Sequence, residues 1–139
     1  MTVHVINEEQ REKIGERMAG FLQKRPEIVF AYLHGSFLKG DFRDIDVAVY
    51  LTEISKKEAL EYELNLESEL TKLTGFCTDV RVLNYAPLCF KFSVIRNGTL
   101  LFSKDERIRC DFECLTIVEY HDFDFLRSVY RKEALGIKV

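Results

Sequence analysis

The stretch IVFAYLHGSFLKGDFRDIDVAVYL, residues 28–51, carries the decisive pattern of this chain. Its first seven residues, IVFAYLH, are β-branched, aromatic and apolar, and they stop at Gly35: the composition of a buried strand. Its last eight, DIDVAVYL, read as a second strand. The connection GSFLKGDFR between them is too short for the crossover that parallel neighbours require. The two strands are therefore expected to run antiparallel.

Working outward, residues 8–24 set Ile14, Met18, Phe21 and Leu22 at helical intervals among charged residues, and Pro26 halts the pattern. Downstream, Ser55 and Glu58 form a capping box for a charged helix to about Leu73, with Gly75 as its stop. This helix is expected to be a solvated outer face. TDVRVLN, residues 78–84, predicts a third strand, and Pro87 opens a short helix ending near Asn97-Gly98. Thr99 to Phe102 is a short last strand, and from Lys104 the chain reads as helical nearly to Gly136, with a bend expected around His121-Asp122. Strands separated by helices give the α/β (α+β) class: a small mixed sheet flanked by helices, with a long C-terminal helical segment.

In the second strand, Ile45, Val47, Val49 and Leu51 make one face, while Asp44, Asp46, Ala48 and Tyr50 make the other. The two acids thus project together, their Cα atoms about 6.5–7 Å apart. Carboxylates so placed can bracket Mg²⁺ ions in two-metal phosphoryl chemistry; acids that merely cap a strand end are the alternative. The third strand repeats the arrangement, with Val80 and Val82 inward and Asp79 and Arg81 on the other side. Strands are depleted in Asp, and like charges held together call for a cation. Gly35-Ser36, followed by Gly40, is a turn that offers N–H groups and a hydroxyl to an anion just before the acid pair.

The chain has 139 residues, the size of one domain, with no repeat or linker-like tract, so 1–139 is read as a single domain. At 47% hydrophobic and 31% charged it has ample core material, which excludes a disordered chain. Lys plus Arg number 20 against 23 Asp plus Glu, leaving no broad basic footprint for coating nucleic acid, so sequence-specific nucleic-acid binding is not expected. No apolar run is long enough to span a bilayer and no signal-peptide pattern stands at the N-terminus, so the expectation is a cytoplasmic protein with no membrane role.

The combination of a strand, Gly35-Ser36, a short connection with Gly40, Asp44-Ile45-Asp46 on a strand and Asp79 on another resembles the nucleotidyltransferase superfamily of DNA polymerase β. It is most similar to the minimal (MNT) members, the adenylyltransferase antitoxins of HEPN/MNT (type VII) toxin–antitoxin pairs. VIRNGTLLFSKDERIRCDFE and EYHDFDFLRSVYRKEAL are similar to the helix, strand and aromatic-rich last helix of that family, so the likeness runs from about residue 28 onward. One departure is plain: only seven residues separate Ser36 from Asp44, a shorter connection than the family's usual one, with Leu38 and Arg43 at positions where small residues are common.

The resemblance implies that Asp44 and Asp46 hold two Mg²⁺ ions, that Gly35 and Ser36 cradle the β- and γ-phosphates of ATP, and that Asp79 holds the second ion and helps deprotonate the acceptor. Gly40, Lys39, Arg43 and Arg81 join as candidate phosphate contacts. It implies AMP transfer from ATP to a protein hydroxyl, a tyrosine of a HEPN-type ribonuclease toxin, with this chain as the antitoxin. The alternatives are a small-molecule (aminoglycoside-like) nucleotidyltransferase and a catalytically weak domain that only binds and masks its partner.

Other features read as structural. Cys77, Cys89, Cys110 and Cys114 are taken as reduced core cysteines. Cys110, Cys114 and His121 are too spread along a helix to converge on zinc. His34, beside the glycine turn, is expected to be buried and hydrogen-bonded, with approach to a nucleotide as the other reading. His4 carries no signal. On the last helix Phe123, Leu126 and Tyr130 share one face and Phe125 and Val129 another, which suits either a bent helix packed on both sides or a partner surface, for a homodimer or a helical partner.

Overall fold

The computed structural model describes residues 3–134, ordered as α1 (Glu8–Gln23), β1 (Ile28–His34), a 3-10 turn (Ser36–Leu38), β2 (Ile45–Leu51), α2 (Lys56–Thr74), β3 (Thr78–Val82), a second 3-10 turn (Leu83–Tyr85), α3 (Leu88–Asn97), β4 (Thr99–Ser103) and α4 (Glu106–Ala134). The strands form one mixed sheet in the order β3-β2-β1-β4. β1 is antiparallel to both β2 and β4, as the short connection after β1 dictates for the first pair, and β2 runs parallel to β3 across the α2 crossover.

The first two helices are closed by reciprocal caps. Asn7 and Gln10 close a capping box on α1, and Ser55 and Glu58 do the same on α2, whose last turn ends on Gly75 at φ +80°. α1 and α2 cover one face of the sheet: Ile14, Met18, Leu22, Leu66 and Leu70 pack with Ala31, Val47, Val49 and Val80. α3 and α4 cover the other, where Val94 and Phe112 meet Phe30, Tyr32, Ala48 and Leu83, and the Tyr32 hydroxyl donates to Glu113 at 2.8 Å. Ala48 is therefore fully buried and Tyr50 stacks on Phe30, so the face shared by Asp44 and Asp46 is open only at its acidic end.

The structure corrects several expectations. β3 ends at Val82 rather than Asn84, because the Asn84 side chain turns back to pair with the backbone N–H and C=O of Leu51 at 2.9 and 2.8 Å. α2 is more than a solvated face: Ala59, Leu66 and Leu70 are buried, and its polar side chains seal the outer edge of β3. Thr71 accepts from the Thr78 amide at 3.2 Å, Glu67 from Val80 at 3.1 Å and Glu63 from Val82 at 2.8 Å. All four cysteines are exposed rather than in the core. α4 runs unbroken through His121-Asp122 and begins at Glu106, where Asp105 caps the Arg107 and Ile108 amides. Phe123, Phe125, Leu126 and Tyr130 stay exposed, so its far half is not packed on both sides. The expected end near Gly136 lies outside the described residues. Among the described residues no helix is long and apolar enough to cross a membrane.

Candidate active site

The open end of the sheet gathers the residues singled out in the sequence. β1 stops at His34, which lies opposite Asp46 of β2, and Asp46 in turn lies beside Asp79 of β3. Gly35 follows at φ +80°, ψ −163°, a conformation open essentially to glycine alone. There is a second reason for glycine: a Cβ built on Gly35 would sit 2.1 Å from Asp46 Oδ2. The strand backbone thus passes directly against the central carboxylate. Asp44, two residues before Asp46 and just ahead of β2, is half-buried, and Asp79 is exposed.

The charges feel one another. Burial first, then the Asp79 and Asp44 carboxylates, push the Asp46 pKa up to about 6 from its ordinary 3.8. Behind Asp79, burial pushes Glu67 up, the Val80 amide that it accepts pulls it down, and Asp79 adds to the rise. Three acids held at one sheet end fit a divalent cation, which would relieve this repulsion. Among the described residues no three His, Cys, Asp or Glu side chains close into a cage for a metal by themselves.

The turn Ser36–Leu38 is fastened from outside. Lys39 and Gly40 amides bond back to the Ser36 carbonyl at 3.0 and 3.2 Å. From α1, Arg11 donates to the carbonyls of Phe37 and Gly40 and lays its guanidinium over the Phe37 ring, 5.3 Å from the centroid. From the N-terminal lead, His4 exchanges both backbone bonds with Phe42, and its ring packs on Phe42 and Phe76. The short connection is thus pinned at both ends. His4 and Arg11 carried no signal in the sequence, since each acts on a segment far along the chain.

Two clefts open on either side of Ser36. One, about 350 Å³, is lined by Ser36, Asp41, Arg43, Asp44 and Asp46, with Val3 and Phe42. The other, about 450 Å³, is lined by His34, Gly35, Ser36, Lys39, Ser93 and Asn97. Lys39 and Arg43 therefore serve different clefts. Gly40 lines neither and offers its carbonyl to Arg11 instead, and Arg81 lies over the Phe90 ring at 5.3 Å. His34 does not have the hydrogen bond expected of it: its Nε2 is buried without a partner, and burial holds its pKa below the usual value. Ser93 and Asn97 were missed; their one signal is a polar i, i+4 pair in an apolar stretch, on the face of α3 turned to the glycine turn.

Comparison with known proteins bears on this arrangement. No curated protein sequence matches the chain. Its fold is shared with the solved structure of a tri-AMPylated Shewanella oneidensis HEPN toxin in complex with MNT antitoxin, at 20% identity and a TM-score of 0.68 over 90% of this chain and 98% of that one. It is shared with the toxin–antitoxin MntA-HepT, at 19% identity and a TM-score of 0.66 over 89% and 98%. A toxin–antitoxin structure with AMP-PNP also matches, at 21% identity and a TM-score of 0.61 over 94% and 99%. The sequence model of one family, Polymerase beta, Nucleotidyltransferase, matches residues 16–107, from the middle of α1 through the acids and β4 to the start of α4. With that match spanning well over half of its length, this chain belongs to the polymerase beta nucleotidyltransferase family.

Proposed function

We propose that this chain is a Mg²⁺-dependent adenylyltransferase that moves AMP from ATP to a hydroxyl of a protein partner, a tyrosine of a HEPN-type toxin, and so acts as its antitoxin. The observation that carries the reading is the placement of Asp46: Gly35 and the Ser36 turn on one side, Asp79 on the other, Asp44 two residues before it. The solved structures that share the fold include an AMPylated HEPN toxin complex and a complex with AMP-PNP, which support nucleotide and partner class alike.

In this reading Asp44, Asp46 and Asp79 would hold two Mg²⁺ ions, which would supply charge neutralisation and orientation of the phosphates. The Ser36 turn, with Lys39 and Arg43 on its two flanks, binds the β- and γ-phosphates. Asp79, exposed at the rim, helps take the proton of the attacking hydroxyl as the hydroxyl oxygen bonds to the α-phosphorus and pyrophosphate leaves. Arg11 and His4 keep the short connection in place while this occurs.

The test is intact-mass analysis of a co-expressed HEPN-type partner after incubation with ATP and Mg²⁺, wild type beside Asp79→Ala. A gain of one or more AMP units that disappears in the variant supports the reading. A stable complex with no gain replaces transfer by masking, and no complex at all redirects the search to small-molecule acceptors.

A further inference from the structure

The cleft of about 450 Å³ between the Ser36 turn and α3 differs in chemistry from its neighbour, which carries Asp41, Arg43, Asp44 and Asp46. Its own side chains are those of His34, Ser36, Ser93 and Asn97, with Lys39 as the one charge, and burial favours the neutral imidazole. Sequence and packing build this wall together. Phe90, Ser93 and Asn97 stand at steps of three and four on α3 and so share one face of the helix. Phe90 sets that face against the sheet, its ring edge-on to His34 at 5.4 Å with the Arg81 guanidinium over it at 5.3 Å. At the other end Gly98 lets the helix close on β1, since a Cβ there would meet the Leu33 carbonyl oxygen at 2.9 Å. Ser93 and Asn97 line the cleft exposed, whereas His34 Nε2 is buried without a partner. An unpaired buried nitrogen is costly, and a ligand hydroxyl at this wall would supply its partner.

We propose that this cleft is the nucleoside subsite of the donor, with Ser93 on the ribose and Asn97 reading the edge of the base. The inference rests on the transfer reading and adds to it the residues that choose the nucleotide. Charge assigns the two clefts. The triphosphate and its cations belong with Arg43 and the acids, and the uncharged ribose and base belong with neutral donors and acceptors. Lys39 is part of the Ser36 turn, its amide bonded to the Ser36 carbonyl, and so stays with the phosphates. α3 runs from β3, where Phe90 meets Arg81, to β1, where Gly98 meets Leu33. Ser93 therefore lies nearer the acids and Asn97 farther, which is the order of ribose and base behind an α-phosphate. The Asn97 amide offers one donor and one acceptor, a match for the N6 amine of adenine and the ring nitrogen beside it.

Isothermal titration calorimetry of the full chain with AMP-PNP and with GMP-PNP in Mg²⁺, without a protein partner, reads binding apart from transfer. Asn97→Asp replaces the amide by two acceptors, which suit N1–H and N2–H of guanine and set an oxygen against a lone pair of adenine. The ratio of the two affinities should move toward GMP-PNP by about 10- to 100-fold. The added charge weakens both analogues alike and cancels from that ratio. Ser93→Ala should cut the preference for ATP over its 2′- or 3′-deoxy form by about 2- to 10-fold. Both side chains are exposed, so neither change should lower the melting temperature. Arg43→Ala, in the acid cleft, should weaken both analogues equally. An unchanged ratio in Asn97→Asp overturns the subsite and leaves transfer standing, as does a ratio that follows Arg43 instead. A wild type that binds neither analogue overturns the transfer reading and the subsite with it.

Discussion

Gly35→Ala separates two roles of one residue. At φ +80°, ψ −163° an alanine pays strain of about 1–3 kcal/mol, whatever surrounds it. Its Cβ also meets Asp46 Oδ2 at 2.1 Å and Cγ at 3.1 Å, so the carboxylate must retreat by more than ~1 Å to reach ordinary contact. Because that carboxylate can swing, the backbone sets most of the stability loss and the displaced oxygen sets the loss of activity. A shift of ~1 Å in a positioned group is worth about 10²-fold in rate. For a domain of this size, 1–3 kcal/mol lowers the melting temperature by about 4–12 °C. Thermal denaturation is measured in the wild type and in an Asp46→Ala background, and AMP transfer in the wild type alone. The strain persists in both backgrounds, so the melting loss should be nearly the same in each. Transfer that survives Gly35→Ala at full rate would refute the close approach, and an unchanged melting temperature would refute the strain.

Three further expectations follow from the same geometry. Asp46 has a folded pKa of about 6 above its ordinary 3.8, so its ionisation between pH 4 and 6 destabilises the fold. Discounted for partial exposure, that is ~1 kcal/mol at pH 7.5; by calorimetry in chelator Asp46→Asn should melt about 3 °C higher than the wild type there, and no higher than the wild type at about pH 3.5. Arg11→Met should loosen the Ser36 turn, costing about 1.5–3 kcal/mol and ~10-fold in transfer, with faster hydrogen exchange at Lys39 and Gly40. Glu63→Ala with Glu67→Ala should cost about 1 kcal/mol each and speed exchange at Val80 and Val82, while Leu60→Ala, exposed on the same helix, leaves those amides protected.

Much of this was legible in the chain because it is local. Ser55 and Glu58 read as a cap since the capping box is complete within four residues, and the acids of β2 share a side because strands alternate. Cys110 and Cys114 misled because α4 is apolar on several sides, so a residue among hydrophobic neighbours is not thereby in the core. Ala48 shares its strand face with Asp44 and Asp46, and only the packing of Leu83 and Val94 shows that it is buried. Arg11 and His4 were silent because they hold the connection between Ser36 and Asp44 across 26 or more positions, a distance that leaves no periodic trace. Ser93 and Asn97 likewise gain meaning only once α3 is laid beside the glycine turn.

The sealing of β3 by α2 has a metrical consequence. The three acceptors recur every fourth residue of the helix, about 6.0 Å along its axis, and the three amides recur every second residue of the strand, about 6.6 Å along its own. The two rulers agree to ~0.6 Å per step, close enough for three marks to coincide and no more than a few. A deletion of one residue between Glu63 and Thr71 would turn the remaining acceptors by about 100° and break the coincidence. Point changes on the outer surface of α2 are thus absorbed, but its length between those marks is not free to vary, because the strand that presents Asp79 is graduated against it.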